Sequence, residues 1–180
     1  FPMVDLERQI GEIDPDVIYV HQLNGKEPIE RLSRVGKPVV RFFHDHRLFC
    51  LREHKYTALK RQTCTCTASR KCYPLGATVK RTSRWPGVRI SWLSTLQKEQ
   101  QANMQLDAFV VGSRYMAQHV VDHGFEQQKV HYIPLYSKGT LPENTQQRDE
   151  MLLLFVGHLV RGKGLDVLLE ALAQLSSPAR

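Results

Sequence analysis

The chain has 180 residues, 42% of them hydrophobic, and a formal net charge of +7. That balance belongs to a globular protein with room for one domain, or one domain and part of another. Its longest apolar runs, such as 152–156, are far too short to span a bilayer as a helix, and with no signal-peptide pattern at the start a cytoplasmic location is expected.

In chain order, strands alternate with helices. Apolar periodicity predicts a helix over 3–11, a strand over 17–21, a helix over 27–35 and a strand over 38–43. The second strand runs into His44-Asp45-His46. A long polar stretch follows, and then a helix is predicted over 88–104, a strand over 108–112 ending beside Ser113, a helix over 114–123 and a strand over 130–133. Residues 137–150 are polar and aperiodic and read as a linker. Repeated βα units predict an α/β fold, a Rossmann-like parallel sheet with helices on both faces. Ligands of such sheets bind at the carboxyl ends of the strands. His21, Asn24, His44, Asp45, Ser113, His158 and Lys163 all sit just after predicted strands, so they are the candidates for one cleft. His119, His123 and His131 fall on or near the 114–123 helix and the strand after it and read as structural.

The most informative segment is 152–175. Leu152 to Val156 is a continuous apolar run of strand length. Gly157, His158, Arg161, Gly162, Lys163 and Gly164 then make a basic, glycine-containing turn, and Leu165, Leu168, Leu169, Leu172 and Leu175 recur at helical spacing over 164–175. Asp166 lies in the first turn, where a negative side chain suits the helix dipole. A strand, a basic turn and a helix N-terminus together form a common anion-binding arrangement.

Charge and cysteines concentrate in one place. Residues 47–89 hold eleven Lys or Arg and a single Glu, a basic patch suited to an anionic surface or acceptor. Nucleic acid is the competing partner, but the segment contains no recognisable nucleic-acid module. All four cysteines, Cys50, Cys64, Cys66 and Cys72, lie here too. Four thiolates can enclose a structural zinc ion or an iron–sulfur cluster, with His44, His46 and His54 as alternative ligands. Free thiols and disulfides are the other readings. A metal would supply folding energy to a stretch with little apolar periodicity.

The segment 152–175 resembles the opening of the second domain in family 4 glycosyltransferases of the GT-B fold. The segments Asp16–Gly25, Val39–His46, Asp107–Ser113 and Val130–Pro134 resemble, in order, strands of that family's first domain. The resemblance implies a partial acceptor-binding domain over 1–136 with a cysteine-containing basic insertion at about 47–87, the linker, and the start of a nucleotide-sugar-binding domain over 151–180. It implies retaining transfer of a hexosyl group from a nucleotide-diphosphate sugar to a glycan or lipid-linked hydroxyl, without a catalytic divalent metal. Lys163 takes the place of the family's diphosphate-binding lysine. His158 stands where the family has arginine, a change from a bidentate fork to a weaker partner, with Arg161 nearby and Gly157 at the turn. His44 and Asp45 take the catalytic positions, where they orient acceptor or donor sugar, and His21, Asn24 and Ser113 line the acceptor or sugar cleft. Cys50 fits the first position of a cysteine-rich insertion that some relatives carry. Peripheral contact with the inner face of an anionic membrane follows from the family's acceptors. The family's glycine-rich loop and its Glu-x7-Glu motif would lie outside residues 1–180, so an internal piece, inactive by itself, is expected. Two rivals are another Rossmann-like sugar-nucleotide enzyme, such as an epimerase, and a non-enzymatic, metal-stabilised basic binding module.

Overall fold

The computed structural model describes residues 6–57, 62–83, 85–136, 153–159 and 163–175. The chain divides into two compact units, Phe1–Tyr136 and Ser137–Arg180. The first unit runs α1 (Leu6–Ile13), β1 (Ile18–Val20), α2 (Lys26–Leu32), β2 (Val39–Phe43), β3 (Val79–Arg81), β4 (Val88–Ile90), α3 (Leu93–Met104), β5 (Ala108–Val111), α4 (Arg114–Asp122) and β6 (Val130–Tyr132). The second unit contains α5 (Leu165–Ala173). Among the described residues no helix is long and apolar enough to cross a membrane.

The expected α/β architecture is present as a four-stranded sheet in the order β1-β2-β5-β6, with every neighbouring pair parallel. The register sets Val20 beside Arg41, Arg41 beside Phe109 and Phe109 beside Val130. Successive strand residues point to opposite faces. One face, carrying Ile18, Val20, Val39, Phe43, Phe109, Val111 and Val130, meets Ile10, Ile29, Leu32, Ala102, Met116 and Val120 from α1 to α4 in a single core. Burying each large aliphatic or aromatic side chain there contributes about 1.5–3 kcal/mol. The opposite parity, with Tyr19, Phe42 and Val110, lies outside that core, and Tyr19 is half exposed. Helices on both faces were expected; among the described residues α1 to α4 all join the core on one.

The segment between β2 and α3 departs further from expectation. The helix predicted over 88–104 begins only at Leu93, because Val88–Ile90 pairs antiparallel with Val79–Arg81. Pro86 and Gly87 break any helix approaching from that side, Gly87 adopts a positive φ of 81°, and β-branched Val88 and Ile90 suit a strand once a partner is supplied. The insertion packs a second, small apolar core against α3, in which Leu51 and Ala77 are buried with Leu93 and Leu96, and Ala68 and Cys72 pack against them.

In the second unit the strand predicted over 152–156 is not formed across 153–156, where Leu154 and Val156 are more than 80% exposed. A strand is held by ladder bonds to a neighbour, and the described residues of this unit supply none. The helix does form. It starts from Gly164 at φ 72°, a left-handed geometry that glycine adopts without steric cost.

Candidate functional site

The carboxyl ends of β1 and β2 open into a cleft of about 440 Å³. Its floor and one side come from His21, Asn24, Arg41, His44 and Asp45. The insertion supplies the other wall through Arg47, Cys50, Glu53, Lys80 and Arg89, and the start of α3 adds Trp92, Thr95 and Glu99. The fold therefore gathers four sequence-selected residues, His21, Asn24, His44 and Asp45, around one space.

The two histidines touch. His21 Nδ1 lies 2.6 Å from His44 Nε2, with the rings stacked at a centroid distance of 4.8 Å and Phe42 packed beside both. A hydrogen bond between two imidazole nitrogens needs one protonated and one bare nitrogen, so the facing atoms share a single proton. Asp45 turns back on its own loop. One carboxylate oxygen accepts the Arg47 N–H at 2.9 Å and the other pairs with the Arg47 guanidinium at 3.1 Å. Lys80 pairs with Glu53 at 2.6 Å and helps to hold the Glu53 carboxyl below its usual range.

Arg41 is the residue that strand periodicity overlooked. It stands in Val39-Val-Arg-Phe-Phe43 and is only 5% exposed. Its Nη1 donates to Asn103 Oδ1 and its Nη2 donates to the Leu23 carbonyl at 2.6 Å. Its Nε is buried without a partner. Desolvation pulls the guanidinium pKa down, opposed by the negative charges of Glu99 and Asp45. Asn103 donates to the Glu99 carbonyl at 2.7 Å, and the Glu99 carboxylate accepts the Gly25 N–H at 2.7 Å. These bonds join the loop after β1 to α3 across the cleft floor. The signal available beforehand was an arginine inside an otherwise apolar strand, since a buried charge needs built partners.

Ser113 follows β5 but serves as the N-cap of α4, where its hydroxyl accepts the Met116 N–H at 3.1 Å; it is not among the cleft-lining residues. His158, Gly157 and Lys163 belong to the second unit and are exposed, and a side chain at Gly157 would press on the Phe155 ring at 3.3 Å. Arg161 lies outside the described residues. Cys50, Cys64, Cys66 and Cys72 are free thiols. Among the described residues no three His, Cys, Asp or Glu side chains converge as a metal site.

No protein-family model, curated protein or solved structure matches the chain.

Proposed function

We propose that the first unit is the acceptor-binding half of a sugar transferase that moves a hexosyl group from a nucleotide-diphosphate sugar to a hydroxyl acceptor. The observation that carries this reading is the meeting of His21, Asn24, His44 and Asp45 at the carboxyl edge of a parallel sheet, where α/β sheets bind their ligands. The ordered resemblance to family 4 glycosyltransferases supports it. Imidazole and amide groups offer the donors and acceptors that fix a polyhydroxylated ligand. In this reading His44 and Asp45 orient the reacting sugars. Lys163, with His158 or Arg161, neutralises the diphosphate that leaves. The cations Arg47, Lys80 and Arg89 at the cleft wall suit an acceptor that carries negative charge or sits at an anionic membrane.

The test is to incubate the full translation product of the gene with labelled nucleotide-diphosphate sugars and hydroxyl acceptors. The expected result is transfer that falls at least about a hundredfold in both His44→Ala and Lys163→Ala, the scale of losing one transition-state contact. Absence of both turnover and saturable nucleotide-sugar binding overturns the reading.

A further inference from the structure

A second cluster of imidazoles lies outside the cleft. His46 follows β2, while His119 and His123 lie on α4 and at its C-cap. The rings of His119 and His123 are 4.4 Å apart between centroids, and those of His46 and His119 are 5.2 Å apart. His119 is only 3% exposed, and Phe49 packs edge-on against both α4 histidines.

Geometry fixes the proton on His123. Its Nδ1 lies 2.7 Å from the His119 carbonyl, which only accepts, so Nδ1 carries hydrogen. Its Nε2 accepts the Ala68 backbone N–H at 3.1 Å, so Nε2 carries none. Ala68 belongs to the insertion. Both ring nitrogens are therefore committed while the imidazole is neutral. A proton added at Nε2 would face the Ala68 donor and break that bond.

The surroundings oppose a positive charge. Lys55, from the insertion, is 4% exposed and donates its ammonium to the Cys66 carbonyl. Asp122 on α4 and Asp45 beside His46 are the facing carboxylates, and neither hydrogen-bonds a ring of the cluster. His46 Nδ1 and His119 Nε2 are buried without partners.

We propose that His123 is an acid-sensitive latch which, when neutral, holds residues 62–81 of the insertion against α4 and, when protonated, releases them. The latch does not depend on what the cleft binds. Its consequence for the cleft is direct, because Lys80 and Arg89 of the β3–β4 hairpin form one wall. Burial, with repulsion from Lys55, keeps the His123 pKa below the ordinary imidazole range, although hydrogen bonding to the His119 and Phe49 backbone and the charge of Asp122 pull the other way. Released, the ring regains a pKa near 6.5. Proton uptake thus favours release, and docking is complete above about pH 6.5 and fades below it.

The test is hydrogen exchange followed by mass spectrometry at pH 7.5 and 5.0, with exchange times scaled for the intrinsic chemical rate. The native chain is expected to lose about tenfold or more of its protection over residues 62–78 at pH 5.0 while β2 and β5 keep theirs, as for a local opening. His123→Gln, whose amide can both donate and accept without titrating, is expected to abolish the pH effect. Equal protection at both pH values overturns the proposal, as does an undiminished loss in a folded His123→Gln. If that variant fails to fold, NMR of the native chain decides. The Ala68 amide resonance must shift in step with the His123 ring titration, and an amide that stays still through that titration overturns the latch.

Discussion

His21 and His44 meet nitrogen to nitrogen at 2.6 Å across the mouth of the cleft. Neither is the other's sequence neighbour. The parallel pairing of β1 and β2 puts the two strand ends side by side, with Val20 in register with Arg41. The pair is exposed, so its bond is worth only a modest amount. A double-mutant cycle with His21→Asn and His44→Asn should give a coupling free energy of about 0.5–1 kcal/mol. Additive single effects in urea unfolding would show that the contact does not persist in solution.

The bonds of Arg41 predict an asymmetry. Asn103→Leu strips the guanidinium of an acceptor while leaving the charge buried, so it should destabilise by about 3 kcal/mol or more. Arg41→Met in the same background removes the stranded charge and should recover about 1–2 kcal/mol of that loss. Urea denaturation of the two variants checks the order. A double variant less stable than Asn103→Leu alone would contradict it.

Ser113 was selected as a cleft residue and is found capping α4. Ser113→Ala should therefore cost about 1 kcal/mol of stability, and Ser113→Gly only a few tenths. Thermal unfolding of both measures this. A saccharide bound in the cleft should show unchanged affinity, since Ser113 is not among the residues that line it.

Stability should fall on the acid side for a stated reason. Burial first, and then the positive charges of His123, Lys55 and His46, push the His119 pKa down to about 3. The unfolded chain takes up a proton near pH 6.5, where the folded chain does not. The unfolded state therefore binds more protons below that pH, and stability declines as pH drops from about 6.5 toward 3. Each such histidine steepens the decline by about 1.4 kcal/mol per pH unit. His119→Leu should flatten the urea midpoint between pH 6.5 and 4.5 by that share, and an unchanged slope would show that His119 carries none of it.

What was legible in the sequence follows from how local the cause is. The four sheet strands are short apolar runs, and His21, Asn24, His44 and Asp45, which follow β1 and β2 in the chain, line one cleft at the carboxyl ends of those strands. The hairpin was not legible. Val88 and Ile90 become a strand only because Val79–Arg81 lies alongside, and no local preference states that. Leu153–Val156 erred in the other direction, an apolar run that looks like a strand but has no ladder partner among the described residues of its unit. Arg41 failed for a third reason. Its partners, Leu23 and Asn103, lie 18 and 62 residues away in the chain, so its burial was decided by tertiary packing.

Chemistry and selectivity in the cleft reside in different stretches of chain. The polar groups at the sheet edge stand directly after β1 and β2, whose pairing rests on the main core. The facing wall is carried largely by an excursion between Cys50 and Arg89, beyond Leu48 and Phe49 of the main core, and this excursion packs Leu51 and Ala77 against Leu93 and Leu96 of α3. Descendants of such a chain could lengthen, shorten or recharge the wall and so change which ligand fits, while the strand ends that act on it stay as they are. The excursion is in that sense a replaceable cartridge, and the β2–β5 pairing is the socket that receives it.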